Sequence, residues 1–300
     1  MKMNKVVLAA AVFFIVLLGR SSLSGQTGVT GPSGSNNGTE TVVLSSSNVL
    51  ILNSEVNGES TSAIIAGAKK LDNALNAGIG KIVTNNKPLY LFLNTPGGSI
   101  QSGLELIEAL KGIGRPVNTI TLFAASMGFQ IAQNLDERLI LKNGVLMSHH
   151  AAGEFVGSFG GIQPSQVDNR YKLWLDRVRE LDEQTVKRTN GKQTYESYIK
   201  EYDKEMWLTG TKSVEEGYAD RIVAVKCDST LSGATTKHAN FLGFDIAYDL
   251  DNCPLNTSPM NVRISQLEGK SVSNELLNEV KNKFMSQFEN KQGQVLPMVF

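Results

Sequence analysis

The sequence predicts an α/β domain, a partly parallel sheet covered by helices. Three observations carry that expectation. Between residues 48 and 147, short apolar or β-branched runs alternate with stretches of helical spacing, the pattern of repeated strand–helix units. Two of the expected strands end in loops of small residues, Thr95-Pro96-Gly97-Gly98-Ser99 and Ala124-Ala125-Ser126-Met127-Gly128. The carboxyl ends of parallel strands are where such folds build their sites. The chain has 300 residues, enough for one such domain with appendages.

The N-terminus differs in kind from the rest. Lys2 and Lys5 precede an uninterrupted apolar run over residues 6–18, the order of a secretory signal. At 1.5 Å per residue the run reaches only about 20 Å, short of the hydrocarbon core, so cleavage near Ser22 or Ser24 and retention as a short anchor both stay open. Residues 21–44, mostly Ser, Gly, Asn and Thr at first, read as a flexible linker after a signal or anchor over 1–20. The folded domain is expected over 45–226 and an extension over 227–300.

Within the domain, 48–53 (NVLILN) is the first strand candidate and 60–75 a helix with Ile64, Ile65, Ala68, Leu71 and Leu75 on one face. Residues 88–94 read as a buried strand and 100–110 as an amphipathic helix. A strand at 117–122 then hands over through Ser126 to a helix at 129–135. Around Asn143-Gly144, residues 138–147 suggest two short strands joined by a turn. In the extension, 241–250 reads as one strand and 271–288 as a helix with Leu276, Leu277, Val280, Phe284 and Phe288 on its apolar face. Lys plus Arg and Asp plus Glu number 29 each, so no global basic field argues for nucleic acid. Cys227 and Cys253 are the only cysteines, and pairing or free thiols are both open.

A serine at a strand-to-helix junction is either a helix cap or a group whose hydroxyl meets free N–H groups where negative charge is favoured. Gly97 and Gly98 can take φ > 0, so their loop is either a plain tight turn or an oxyanion-binding nest. It is not a nucleotide loop, since it lacks the Lys-Ser/Thr of that motif. His149 and His150 follow a strand, and successive residues there face opposite ways, so one of them can serve Ser126 as base. Glu154 is the only close candidate co-ligand for a metal, and no metal or cofactor is expected.

Asn94-Thr95-Pro96-Gly97-Gly98-Ser99, Ala124-Ala125-Ser126-Met127-Gly128, Met147-Ser148-His149 and Trp207-Leu208-Thr209 with Glu216-Gly217-Tyr218-Ala219-Asp220 together resemble the ClpP-like serine peptidases of the ClpP/crotonase superfold, the family of the Clp protease proteolytic subunit. The resemblance spans about residues 45–226. It implies a spiral of β-β-α units with a handle helix over Pro164–Arg188, striped by Val167, Tyr171, Trp174, Leu175, Val178 and Leu181. It also implies Ser126 as nucleophile, His149 as base, and the Gly98 and Met127 N–H groups as oxyanion hole. His149 is preferred because it completes a Met-x-His. The family places an Asp two residues before an aromatic, and registering on Trp207 puts Glu205 there, with Asp203 as the alternative acid. Were that segment helical, the two would point about 200° apart and only one could face His149. Gly97, Gly153 and Phe155 are the expected substrate contacts.

The function that follows is a serine endopeptidase acting on peptides or unfolded proteins as a homo-oligomeric ring. A partner ATPase is left undecided. The N-terminus argues for export or the cell envelope, with possible membrane association, over the cytoplasm. Three other readings compete: a membrane-associated Ser-Lys signal-peptide peptidase, with Lys142 the nearest lysine; a crotonase-type thioester enzyme; and an inactive ring scaffold.

Overall fold

The structure, a computed structural model, describes residues 39–77, 87–151, 164–265 and 273–293. The chain divides into a unit over Met1–Gly38 and a unit over Thr39–Phe300. The first, with the apolar run and most of the expected linker, lies outside the described residues, as do Gly153 and Phe155.

The main sheet holds β1 (Thr41–Leu44), β2 (Val49–Leu52), β3 (Leu89–Thr95), β4 (Val117–Ala125), β5 (Arg138–Ser148), β6 (Met206–Thr209) and β7 (Arg221–Cys227). They run in the order β1-β7-β5-β4-β3-β2, with parallel pairing throughout, and β6 lies antiparallel to β5 off that path. The strand at 41–44 falls within the stretch read as linker. Val42 and Leu44 alternate inward there and are buried, which holds β1 to β7.

Alternation along β3 splits the core. Leu89, Leu91 and Leu93 pack with Leu106, Ile107 and Leu110 of α2 (Ile100–Lys111), and with Ile64 and Ala68 of α1 (Gly58–Ala77). Phe92 faces the other way, joining Val42, Leu44, Ile120, Leu139, Val223 and Leu231. Both faces are therefore dry, and the strand reads as one apolar run. Four more helices complete the domain: α3 (Met127–Asn134), α4 (Pro164–Arg188), α5 (Tyr195–Tyr202) and α6 (Gly210–Glu215).

Two expectations need correcting. Residues 138–148 form one strand with a wide irregularity, not two strands around a turn. Thr121 pairs with Ile140 and Phe123 with Val145, so the extra residues of β5 bulge out between them. A Cβ on Gly144 would lie 2.6 Å from the Thr121 carbonyl oxygen, so the glycine lets the strand rejoin β4 rather than reverse. In the extension, 241–250 is not one strand. Leu242 (φ 52°) and Gly243 (φ 83°) turn a hairpin between β8 (Ala234–Phe241) and β9 (Phe244–Asp251).

With β10 (Met260–Ser265) these strands make a separate three-stranded sheet. Val280, Phe284 and Phe288 of α7 (Asn274–Gly293) pack on it around the buried Ile246. Cys227, at the end of β7, is bonded to Cys253 beyond β9, with Cα atoms 5.9 Å apart. That resolves the open question of the cysteines. The disulfide closes a loop over a sequence separation of 26, and the chain-entropy model assigns such a loop about 3.5 kcal/mol. Reduction, or replacing both cysteines by serine, is expected to lower Tm accordingly. Limited proteolysis of the reduced protein should cut first within 228–265. Equal stability of the two forms would contradict this.

Candidate active site

Ser126 sits where β4 ends and α3 begins. Its φ of 54° and ψ of −120° are costly for a residue with a side chain, and the surrounding backbone fixes them. Its N–H donates to the Met147 carbonyl at 2.9 Å, and its carbonyl accepts from Gln130 N–H at 3.2 Å. The hydroxyl does not cap α3 and forms no hydrogen bond among the described residues. The plain-cap alternative therefore fails.

The loop after β3 lies against this turn. Gly97 has φ 95°, and a Cβ there would stand 2.7 Å from Ser126 Cβ and 2.9 Å from Met127 N. No other residue type fits. Val56 N–H donates to the Gly97 carbonyl at 2.7 Å, and Ser99 N–H donates to the Val56 carbonyl at 2.8 Å. In such a parallel bridge the neighbours of Gly98 make the bonds, so its own N–H points away from Val56. No acceptor meets the Gly98 or Met127 N–H among the described residues.

A cavity of about 110 Å³ opens here, lined by Gly98, Ser126, Met127 and His149 among others. Four of the sequence-predicted residues thus converge. Gly97 supports the Ser126 turn from behind and does not line the cavity. Lys142 is exposed in the β5 bulge and does not line it either, which removes the amine a Ser-Lys pair would need.

Among the described residues neither expected acid contacts His149. Asp203 Oδ1 contacts His150 Nε2, not His149. The β5–β6 register pairs Ser148 with Met206 and Met147 with Trp207, so one further step would set Glu205 opposite His149. Instead the strand stops at Met206. Glu205 takes φ 60°, and its carboxylate accepts from Trp207 Nε1 at 3.4 Å beside a different cavity. Among the described residues His149 has no hydrogen-bond partner, Ser126 included.

Sequence reading missed Asp182, which also lines the Ser126 cavity and is 3% exposed. It belongs to α4, whose Val178 and Leu181 form the same wall. Tyr198 OH donates to Asp182 Oδ1 at 3.3 Å and stands 3.0 Å from Ser148 Oγ, and Tyr202 lines the same cavity. Burial raises the Asp182 carboxyl to about 6, with the tyrosine hydroxyls and His150 pulling the other way. Burial likewise pushes Tyr198 and Tyr202 well up, keeping them neutral donors. A signal existed in the sequence: Asp182 lies four residues after Val178, on the apolar stripe of α4.

A second network holds the frame. Arg138, buried at the start of β5, bonds Asp220, the Gln133 side chain at 2.9 Å, the Gly217 carbonyl at 2.9 Å and the Arg188 carbonyl at 3.1 Å. Burial would raise the Asp220 carboxyl, but the Arg138 guanidinium outweighs it and holds it below the usual range.

The sequence profile described as Clp protease matches residues 37–226, so the chain belongs to the Clp protease family. It is 30% identical over 161 residues to the ATP-dependent Clp protease proteolytic subunit of Streptococcus salivarius, covering 51% of this chain and 80% of that protein. The Streptococcus gordonii subunit of the same description matches with the same identity and coverage. Among the described residues no helix is long and apolar enough to cross a membrane.

The raised Asp182 carboxyl makes a stability prediction. Its protonated form is favoured by folding, so its contribution is complete below the unfolded value near 4 and is lost as pH rises through about 6. The loss is on the order of 3 kcal/mol. Asp182→Asn is expected to raise Tm at pH 8 and to change it far less at pH 4. The same shift at both pH values would refute the raised value.

Proposed function

We propose that the chain is a serine endopeptidase working through an acyl-enzyme. The observation that carries this reading is Ser126: a nucleophile-type residue at positive φ, its hydroxyl uncommitted, sharing one cavity with His149 and two unpaired backbone donors. Ser126 Oγ attacks the peptide carbonyl while His149 takes its proton. The Gly98 and Met127 N–H groups stabilise the oxyanion, an interaction worth on the order of 10²–10³ in rate per donor in comparable sites. His149 then protonates the departing amine, and water, activated by the same imidazole, releases the acyl group.

Glu205 is the acid of this triad, with Asp203 as the alternative. Its support is the β5–β6 register: extending β6 by one residue brings the Glu205 backbone opposite His149 and relieves the positive φ. Asp203 is engaged by His150. A fluorophosphonate probe is expected to label the protein but not Ser126→Ala, and Glu205→Gln should reduce peptide hydrolysis far more than Asp203→Asn. Absence of Ser126-dependent labelling in every assembly state sinks the triad and leaves a ring scaffold.

Assembly into a homo-oligomeric ring is proposed on the N-terminal half of α4, where Leu173 and Leu175 are exposed and the Tyr171 and Trp174 rings stack 6.1 Å apart. Peptides and unfolded proteins are the substrates, and the β-β-α spiral with α4 as handle is the architecture read here. The curated relatives are ATP-dependent by name, but export argues against an ATPase partner for this chain. Export or envelope association draws on the apolar run at 6–18 and on the Cys227–Cys253 bond, since such bonds persist in oxidising compartments. Sedimentation at micromolar concentration should show an oligomer, and fractionation should place the protein outside the cytoplasm. A monomer, or a cytoplasmic protein still starting at Met1, would count against the respective half of this reading.

A further inference from the structure

We propose that Asp182 makes this site select a cationic side chain, Lys or Arg, on the residue whose carbonyl Ser126 attacks. The proposal rests on the peptidase reading and names the substrate class of that same site. Ser126 itself lines the cavity, so the substrate side chain nearest the attacked carbonyl is the one that enters it. The volume of about 110 Å³ equals about four waters and accommodates one extended side chain. Its walls include Ile100, Met127, Val178 and Leu181, which suit the methylene stem of a lysine or arginine.

The polar end of that cavity is a buried acid without a cation. Asp182 accepts one hydrogen bond among the described residues, from the neutral Tyr198 hydroxyl, which leaves acceptor capacity on its carboxylate. Among the described residues no Lys or Arg nitrogen lies within ion-pair distance of it. The neighbouring arginines of α4 are engaged elsewhere: Arg177 with Gln101 at 2.9 Å, and Arg179 with Glu183 at 2.8 Å. His150 is exposed and committed to Asp203. A buried carboxylate in this state carries the full cost of desolvation without an ion pair to offset it. An ammonium or guanidinium arriving on a substrate supplies the missing charge, whereas an apolar side chain leaves the charge unpaired.

The selection follows pH. The titratable groups facing Asp182 are Tyr195, Tyr198 and Tyr202 of α5 and His149 and His150 at the end of β5. Burial raises the three tyrosines and keeps them neutral. With its carboxyl near 6, Asp182 is charged above that pH and uncharged below it.

The test compares matched peptides carrying Lys or its uncharged isostere norleucine at that position. Hydrolysis is measured with the full chain, and equilibrium binding of the same peptides with Ser126→Ala, which needs no catalysis. The Lys:norleucine ratio of kcat/KM, and of affinity, is expected to exceed tenfold at pH 8. It should fall at least tenfold in Asp182→Asn, and should fall in the unsubstituted protein as pH drops from 8 to 5. The ratio cancels any pH effect common to both substrates, and the pH series needs no variant to fold. A ratio near one, a ratio unaltered by Asp182→Asn, no binding of either peptide, or an equal loss of both substrates in Asp182→Asn overturns the proposal. If Ser126-dependent labelling is absent while the Lys preference in binding persists, the peptidase reading fails and the cation site stands.

Discussion

The contact between Gly97 and the Ser126 turn is the constraint on which the rest depends. The two loops touch at a distance that excludes a Cβ, with a hypothetical one standing 2.5 Å from the Ala125 carbonyl oxygen. Such an approach requires β3 and β4 to be parallel neighbours ending at the same level, and their pairing through Thr95 and Ala124 provides that. The β5 bulge then lets Met147 reach the Ser126 N–H despite the extra residues in that strand. An unfavourable serine conformation is tolerated because three strands and a glycine loop over-determine it.

Two acids illustrate how partners decide the sign of an electrostatic effect. Burial pushes both Asp182 and Asp220 upward. Asp220 meets the Arg138 guanidinium, ends below its ordinary range, and joins the starts of β5 and β7 to the ends of α3 and α4. Asp182 meets no guanidinium among the described residues and ends near 6. The first arrangement belongs to the frame, where a satisfied ion pair fixes strand ends. The second lies in the cleft, where an unsatisfied charge is a capacity to bind.

Local chemistry made β2, β3, β4, α1, α2, α3 and the two loops legible from residues alone. Their periodicities are strong, and the Pro-Gly-Gly and Ala-Ser-Met-Gly segments have few conformations open to them. Tertiary effects were not legible. Asn143-Gly144 has the chemistry of a hairpin turn, but β4 on one side and β7 on the other pull it into a bulge. Leu242-Gly243 was read through because its flanks are both apolar. The acids are a different case. Glu205 and Asp203 were registered by linear spacing, which carries no information on the backbone twist that turns Glu205 aside. Asp182 sits outside every local motif and becomes part of the cleft only when α4 folds across it.

Helix α4 has 25 residues, about 37 Å of stiff rod at 1.5 Å per residue. Its C-terminal half carries Val178, Leu181 and Asp182 into the cleft, and its N-terminal half offers Leu173 and Leu175 to the outside. Leu175 and Val178 are less than one turn apart. Whatever grips the outer half therefore holds one arm of a lever whose other arm is the wall of the cleft. One helix thus joins an exposed apolar face to the wall of the cleft, and a displacement of either end is felt at the other.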